Sequence, residues 1–457
     1  MALELADIQG NILRGYGFPR AAYLFFEVAD TASGRAFLRG LTITPATFWE
    51  RKPKTTTNVA LTFAGLRALG LAEDVLGRLP EAFRQPVRER ARALLGDTGP
   101  SAPETWVEGL GTHRSHILVT IAGSSKEDTG SFESVVAALL ETAKVHGLEL
   151  VHRQNAEALE KRREHFGWAD GLGQPAVEGA GESRAGQGIP DEDGISWRDL
   201  KAGEFILGEK DEDEQTVLEP LLCNGTYMVY RKLYQDVAQF RRALYAEGAR
   251  YASNVQPEPP LDGDQLYELM AAKVVGRWRD GVAIELAPHR AESGLGGQAE
   301  EDPDNDFRYF DDDNAGLRCP LGAHIRRTNP RDALGWHGEL SKSHRIIRRG
   351  MPYGKPLPPK VYEEDVKEDR GLIFICLNAD IARQFEVVQA LWCSDGNAFG
   401  LGDDRDYLLG DNTGSGKMTI QGDPPHFAQA QPEVVLTRGC EYLLVPGISA
   451  LQKLIAK

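Results

Sequence analysis

Basic side chains are in short supply in this chain: 52 Lys and Arg stand against 68 Asp and Glu over 457 residues, a formal net charge of -16. A sequence-independent nucleic-acid binder needs a basic footprint, and so does a protein that adheres to an anionic membrane, so both classes are set aside. Cysteine is scarce too. Cys223, Cys319, Cys376, Cys393 and Cys440 are odd in number, far apart and never spaced Cys-x-x-Cys, which argues against a disulfide framework or a zinc site and makes reduced thiols the expectation. No uninterrupted apolar run approaches the ~20 residues of a membrane-spanning helix. The opening Met1-Ala2-Leu3-Glu4-Leu5-Ala6-Asp7 lacks a basic n-region, a long apolar stretch and a twin-arginine pair, so a cytoplasmic protein is expected.

What is present is ordinary for a globular protein, with 41% apolar and 26% charged residues. The length exceeds what one hydrophobic core usually supports, so two domains are expected. One unit recurs: a β-prone run that leads through polar punctuation into an amphipathic helix. It is read at 22–30 followed by 31–41, at 58–63 followed by 64–71, and at 116–123 followed by 131–146, where Phe132, Val135, Val136, Leu139, Leu140 and Ala143 carry the helical spacing. Residues 148–151 read as a returning strand. In the second half 226–230 leads to 235–245, and 371–377 to 381–392.

Such alternation suits either a doubly wound parallel sheet or two split βαβ, ferredoxin-like units with antiparallel sheets. No strand runs straight into a phosphate-binding glycine loop, which favours the second. The expectation is therefore an α+β protein of two ferredoxin-like domains with peripheral helices, 1–160 and 161–457. The second opens with a long connection over 161–204, and long connections in compact domains tend to carry function.

Several motifs fail on inspection. Gly414-Ser415-Gly416-Lys417-Met418 looks like the end of a phosphate-binding loop, but Met418 stands where Ser or Thr is required and Asp411 where the leading Gly belongs. The acidic run Glu300-Glu301-Asp302-Pro303-Asp304-Asn305-Asp306, continued by Asp311-Asp312-Asp313, lacks the EF-hand Gly and terminal Glu and reads as a solvated loop. Gly294-Leu295-Gly296-Gly297 is too generic to carry meaning.

Phe166-Gly167-Trp168-Ala169-Asp170-Gly171-Leu172-Gly173-Gln174-Pro175 says more. Glycines tolerate positive φ and close backbone approach, so this run suits a tight loop that presents one acid, Asp170, at a fixed angle. Taken alone it fits an Asx-type turn, with Asp170 capping its own backbone, better than a catalytic acid. A second segment is Cys319-Pro320-Leu321-Gly322-Ala323-His324-Ile325-Arg326-Arg327-Thr328-Asn329-Pro330-Arg331. Small Gly322 and Ala323 leave room for a flat group beside His324, and the arginines suit anionic carboxylates. A third, Arg345-Ile346-Ile347-Arg348-Arg349-Gly350-Met351-Pro352-Tyr353-Gly354, is a basic strand punctuated by Gly and Pro.

These three segments stand in the order found in dye-decolorising peroxidases, and Asp7-Ile8-Gln9-Gly10-Asn11-Ile12-Leu13 resembles the N-terminal segment of that family's longer, C/D-like members. The resemblance spans essentially the whole chain. It implies ferredoxin-like domains of the dimeric α/β-barrel-like superfamily and a haem b (iron protoporphyrin IX) held by His324 as axial iron ligand. Asp170 and Arg348 are implied on the opposite face. A carboxylate there takes a proton from peroxide and returns it as general base and then acid. A permanently charged guanidinium orients peroxide and stabilises the departing oxygen.

Only the family register separates Arg348 from Arg345 and Arg349, and on a strand Arg349 faces away from Arg348. Arg326 is implied beside the haem propionates. Glu386 is implied as the acid that accepts from the second nitrogen of His324. Leu372 and Phe374, on alternate strand positions, are implied as apolar lining of the peroxide pocket. The implied activity is reduction of hydrogen peroxide with one-electron oxidation of phenols, anthraquinone or azo dyes, or manganese(II). Trp168, Trp392 and Tyr353 are candidate electron relays, each with packing as its competing role. The alternative is a haem-carrying or iron-handling protein on the same scaffold, with peroxide turnover incidental.

Overall fold

The computed structural model describes residues 2–125, 129–191, 196–290, 305–362, 368–411, 413–414 and 416–456. The glycine run at 294–297, the acidic stretch at 300–304 and Ser415 lie outside the described residues. In the N-terminal half run β1 (Arg20–Glu27), β2 (Thr55–Leu61), β3 (Ile117–Gly123) and β4 (Glu149–Glu157). The connection carries a small hairpin of β5 (Ile189–Pro190) and β6 (Trp197–Arg198). Then follow β7 (Thr226–Gln235), β8 (Ile347–Arg348), β9 (Met351–Tyr353), β10 (Gly371–Asn378), β11 (Met418–Ile420), β12 (His426–Ala428) and β13 (Val435–Val445).

The first half forms a split βαβ unit because each apolar run is stopped by a helix start. Asp30 ends β1's excursion by accepting the Ser33 N–H, which caps helix Thr31–Arg39. Thr62 does the same after β2, accepting from Gly65. The strands lie in the order β4-β1-β3-β2, every neighbour antiparallel.

The second half repeats the plan with β7, helix Val237–Val255, the broken pair β8 and β9, β10, helix Ala382–Cys393 and β13. Its order is β13-β7-β10-β8, with β9 also on β10. Numbered within each half, both sheets read 4-1-3-2, the ferredoxin-like order. They join where Leu444 of β13 pairs with Leu61 of β2, giving one sheet of nine strands. At the far edges β4 packs against β9.

The fold is the α+β arrangement of two ferredoxin-like units expected from the sequence, but several elements are longer. β7 continues through Arg231 and Lys232 to Gln235, although two charges interrupt its apolar run. Each is paired: Arg231 with Asp97 inside the fold, and Lys232 with Asp369 at 2.7 Å. β13 has no counterpart in the sequence reading. A register shift beside Gly439 and the inward Glu441 blur its period-2 pattern.

The Asp7–Leu13 segment is a seam between the halves. Gln9 is fully buried, its Nε2 donating to Val59 O (2.8 Å) and Pro446 O (3.0 Å) while its Oε1 accepts the Val59 N–H (2.9 Å). Asp7 accepts from the Ser449 N–H at the start of the C-terminal helix Ile448–Ala456. Gly10 admits no side chain, since a Cβ would lie 2.6 Å from Pro45 O. Gln9→Ala leaves buried backbone groups of Val59 and Pro446 without partners and is expected to cost about 2–4 kcal/mol. The check is a lower urea midpoint at unchanged m-value.

Candidate active site

A cavity of about 510 Å³ opens on one face of the C-terminal half-sheet, within the ~300–1,000 Å³ usual for cofactor sites. The pleat decides which sheet residues reach it, because side chains two apart share a face. Arg231, Leu233 and Gln235 of β7, Leu372 and Phe374 of β10, and Val435 and Thr437 of β13 line the cavity.

Asp170 enters from the glycine loop. Gly167 and Gly171 have φ of +109° and +86°, values that strain any side chain. Glu164 ties the loop down, accepting the N–H groups of Phe166 (2.8 Å) and Trp168 (2.9 Å) and the Nε2 of Gln235 (2.7 Å). Burial pushes its carboxyl up in spite of those bonds. Asp170 Oδ1 accepts both the Gly171 N–H (2.6 Å) and Arg348 Nη1 (2.9 Å). The turn and the paired acid are thus one arrangement: the local bond orients the carboxylate that the arginine meets.

The backbone of Arg348 on β8 is held by pairing with Cys376 and by Gln174. That side chain accepts the Arg348 N–H (2.9 Å) and donates to Arg348 O (3.0 Å). Arg349 points away and donates to the carbonyls of Asn11 and Ile12, so the N-terminal seam braces β8 from behind. Arg345 lines the same cavity as Arg348, and its guanidinium is fixed by donating to Gly188 O and Gln187 O.

His324 opens the short helix His324–Thr328 and also lines the cavity. Its Nδ1–H donates to Asp406 Oδ2 at 2.8 Å, leaving Nε2 for a ligand. The other Asp406 oxygen accepts the N–H groups of Leu408 and Leu409. Burial works to raise this carboxyl, but His324, Arg327 and the Leu409 N–H outweigh it and hold it below the usual carboxylate range.

Two sequence expectations are corrected. Glu386 does not meet His324. Its oxygens accept from Arg90 and from the Tyr442 hydroxyl (3.0 Å). Helix Ala382–Cys393, a π-helix, turns Phe385, Val388 and Gln389 to the cavity and Glu386 elsewhere. Arg326 does not line the cavity. It is buried over the Tyr309 ring and donates to Asp313 and to Cys319 O, pinning the loop ahead of His324. Glu386→Ala breaks a buried ion pair and is expected to cost about 3–5 kcal/mol of stability. Because Glu386 does not touch His324, the substitution is expected to leave the His324 imidazole as it is. A spectral change of the kind produced by altering the imidazole's partner would reinstate Glu386.

Sequence pattern does not point to Asp406, and it groups Arg327 and Arg331 with the arginines after His324 without separating their roles. Arg327 is fully buried and donates to Gly322 O, Trp392 O and Asp404 O, which sets the distance between the His324 helix and the Asp406 loop. Arg331, at positive φ, lines the cavity with Arg277, Arg345 and Arg348. Burial and then the charges of Arg331 and Arg348 pull Arg345 down to about 9. Burial and Arg331 pull Arg277 down to about 10. Arg277, Arg331 and Arg345 donate to carbonyl oxygens and the Asn305 amide, so this end of the cavity attracts anions.

Residues 7–154 match the DyP dimeric alpha+beta barrel domain, and residues 208–401 the Dyp-type peroxidase C-terminal domain. The chain belongs to the dye-decolorising peroxidase family. It is 29% identical to the dye-decolorizing peroxidase msp1 of Mycetinis scorodonius, covering 99% of this chain and 88% of that one. It is 28% identical to the dye-decolorizing peroxidase of Exidia glandulosa, covering 98% and 87%. Among solved structures, an ancestral D-type dye decolorizing peroxidase shares 28% identity over the whole of both chains with a TM-score of 0.81. The protein is a hydrogen-peroxide-dependent oxidoreductase of a haem-using family. Its cavity fits that cofactor on its own chemistry: a carboxylate-backed imidazole, apolar walls and a cationic end for two carboxylates.

Proposed function

We propose that the protein holds haem b through His324 Nε2, with Arg331 and Arg345 toward the propionates, and that Asp170 and Arg348 perform the peroxide chemistry. When bound, the haem supplies the redox step: its iron takes the two oxidising equivalents of peroxide and passes them on one electron at a time. The chain's own residues handle protons and charge. Asp170 takes the proton from the inner peroxide oxygen and delivers one to the outer oxygen, which leaves as water. Arg348 Nη1, 2.9 Å from Asp170 Oδ1, orients the carboxylate and stabilises negative charge on the leaving oxygen. Asp406 accepts the His324 Nδ1–H, fixes the tautomer and makes the imidazole a stronger donor.

The observation that carries this reading is the Asp170–Arg348 pair facing the cavity that His324 also lines. A haem carrier or iron-handling protein needs neither a paired acid nor a guanidinium there. The donors proposed are anthraquinone and azo dyes and phenols, in line with the dye-decolorizing names of the relatives, and manganese(II) belongs in the same survey. Among the described residues no helix is long and apolar enough to cross a membrane; a cytoplasmic setting is proposed from the five cysteines, all of them free thiols. The test is stoichiometric peroxide added to haem-loaded protein, followed by the Soret band and by oxidation of each donor. A Soret band that does not respond to peroxide would refute the peroxidase assignment of this cavity.

A further inference from the structure

We propose that a second cavity, behind β8, is a binding site for an anionic aromatic molecule, an arene sulfonate or carboxylate. This cavity of about 570 Å³ lies between the N-terminal segment and the Gln174–Gln187 stretch of the connection, with Ile347 and Arg349 lining it beside β8.

Two guanidiniums reach it, and neither has a carboxylate partner among the described residues. Arg14 Nε donates to Ala46 O (2.7 Å) and its Nη1 to Ala180 O (3.4 Å), while Nη2 is buried with no hydrogen-bond partner. Among the described residues Arg349 donates to the carbonyls of Asn11, Ile12 and Arg348. The carboxylate among the lining residues, Glu182, is exposed and has no ion pair with either arginine. Burial holds both guanidiniums below their ordinary range, Arg349 at about 10. Two half-buried cations without a counter-charge among the described residues favour an anion between them.

The rest of the cavity selects the body of that anion. Phe48 is 71% exposed, and the Arg14 guanidinium stands 3.7 Å over its ring. Pro175, Val177 and Ile347 supply apolar surface on the other walls. An exposed aromatic ring that already carries a stacked guanidinium is a platform for a flat ring bearing an acid group. A small inorganic anion would leave the apolar walls uncovered. Gln174 lines this cavity as well and exchanges two hydrogen bonds with the Arg348 backbone, so the site lies directly behind the peroxide side.

The test is calorimetric titration of the haem-loaded full chain, without peroxide, using 2-naphthalenesulfonate, neutral 2-naphthalenemethanol and inorganic phosphate as probes. The binding heat is read independently of the roles proposed for Asp170 and Arg348. The sulfonate is expected to bind at one site without moving the Soret band and at least ~10-fold more tightly than either other probe. Arg14→Met weakens it about tenfold, Phe48→Ala about threefold, and Arg14→Lys restores most of the affinity. Unchanged peroxide turnover in Arg14→Met shows that the variant is folded. Three results would overturn the proposal: sulfonate affinity indifferent to Arg14, phosphate binding as tightly as the sulfonate, or sulfonate binding that shifts the Soret band and is displaced by cyanide.

Discussion

Asp170→Asn is expected to lower the second-order rate with hydrogen peroxide by about 10²–10⁴-fold, because proton transfer to and from peroxide loses its positioned base. Arg348→Leu is expected to cost about 10²–10³-fold by removing the charge that meets the leaving oxygen. The two losses should not add. Arg348 Nη1 donates to Asp170 Oδ1 at 2.9 Å, so either substitution also loosens the other side chain, and the double variant falls short of the product of the single losses. Stability behaves differently. Both side chains are about one-third exposed, at 33% and 35%, so their pairing contributes under ~1 kcal/mol and melting temperatures stay close to that of the parent. Stopped-flow mixing with peroxide checks the rate, and thermal melts check the fold. Turnover within a few-fold of the parent in both single variants would remove Asp170 and Arg348 from the chemistry.

What the sequence makes legible is whatever local pattern carries. The repeated strand-and-helix unit yields the ferredoxin-like plan, because β1 and β3 are continuous apolar runs and their helices keep the 3.6 period. The glycine loop, His324 and the basic strand at Arg348 are legible for the same reason, since each lies inside one short, unusual segment.

The partner of His324 is not legible in this way. Asp406 sits 82 positions away in a loop whose register depends on Arg327 reaching Trp392 O and Asp404 O. Nothing in the spacing of Asp403, Asp404 and Asp406 says which one meets His324; Asp404 is buried as well, but on Lys417 and the Thr419 N–H. Glu386 attracts attention as an acid on a helix that follows a cavity strand, yet the helix face decides, and that face carries Phe385, Val388 and Gln389. Which of the arginines near His324 and Arg348 make the cationic end is similarly hidden. Arg331 and Arg345 are aimed into the cavity by carbonyls of Gly186, Gln187, Gly188, Asn305 and Phe307, contacts between segments far apart in the chain.

Asp406 is therefore the residue whose replacement tests the iron-ligand side. Asp406→Ala is expected to weaken haem retention about 10–100-fold, since His324 loses the acceptor that fixes its ring, and the Leu408 and Leu409 N–H groups lose theirs. Asp406→Asn keeps the shape but removes the charge. The imidazole then donates to a neutral amide, becomes a weaker electron donor, and the ferric/ferrous potential rises. Transfer of haem to an acceptor globin reads the first effect, and a redox titration the second.

The pH dependence follows from the direction of the shift. The folded-state carboxyl is held below its unfolded value of ~3.9, so its contribution to stability is full above about pH 4 and is lost as pH falls through the lower folded value. Acid should thus release haem from the parent in a pH range where the Asp406→Asn protein shows no corresponding step. A potential and a release profile unchanged in Asp406→Asn would mean that the 2.8 Å contact with His324 does not govern the ligand. The acid that tunes the iron would then have to be sought elsewhere in the cavity wall.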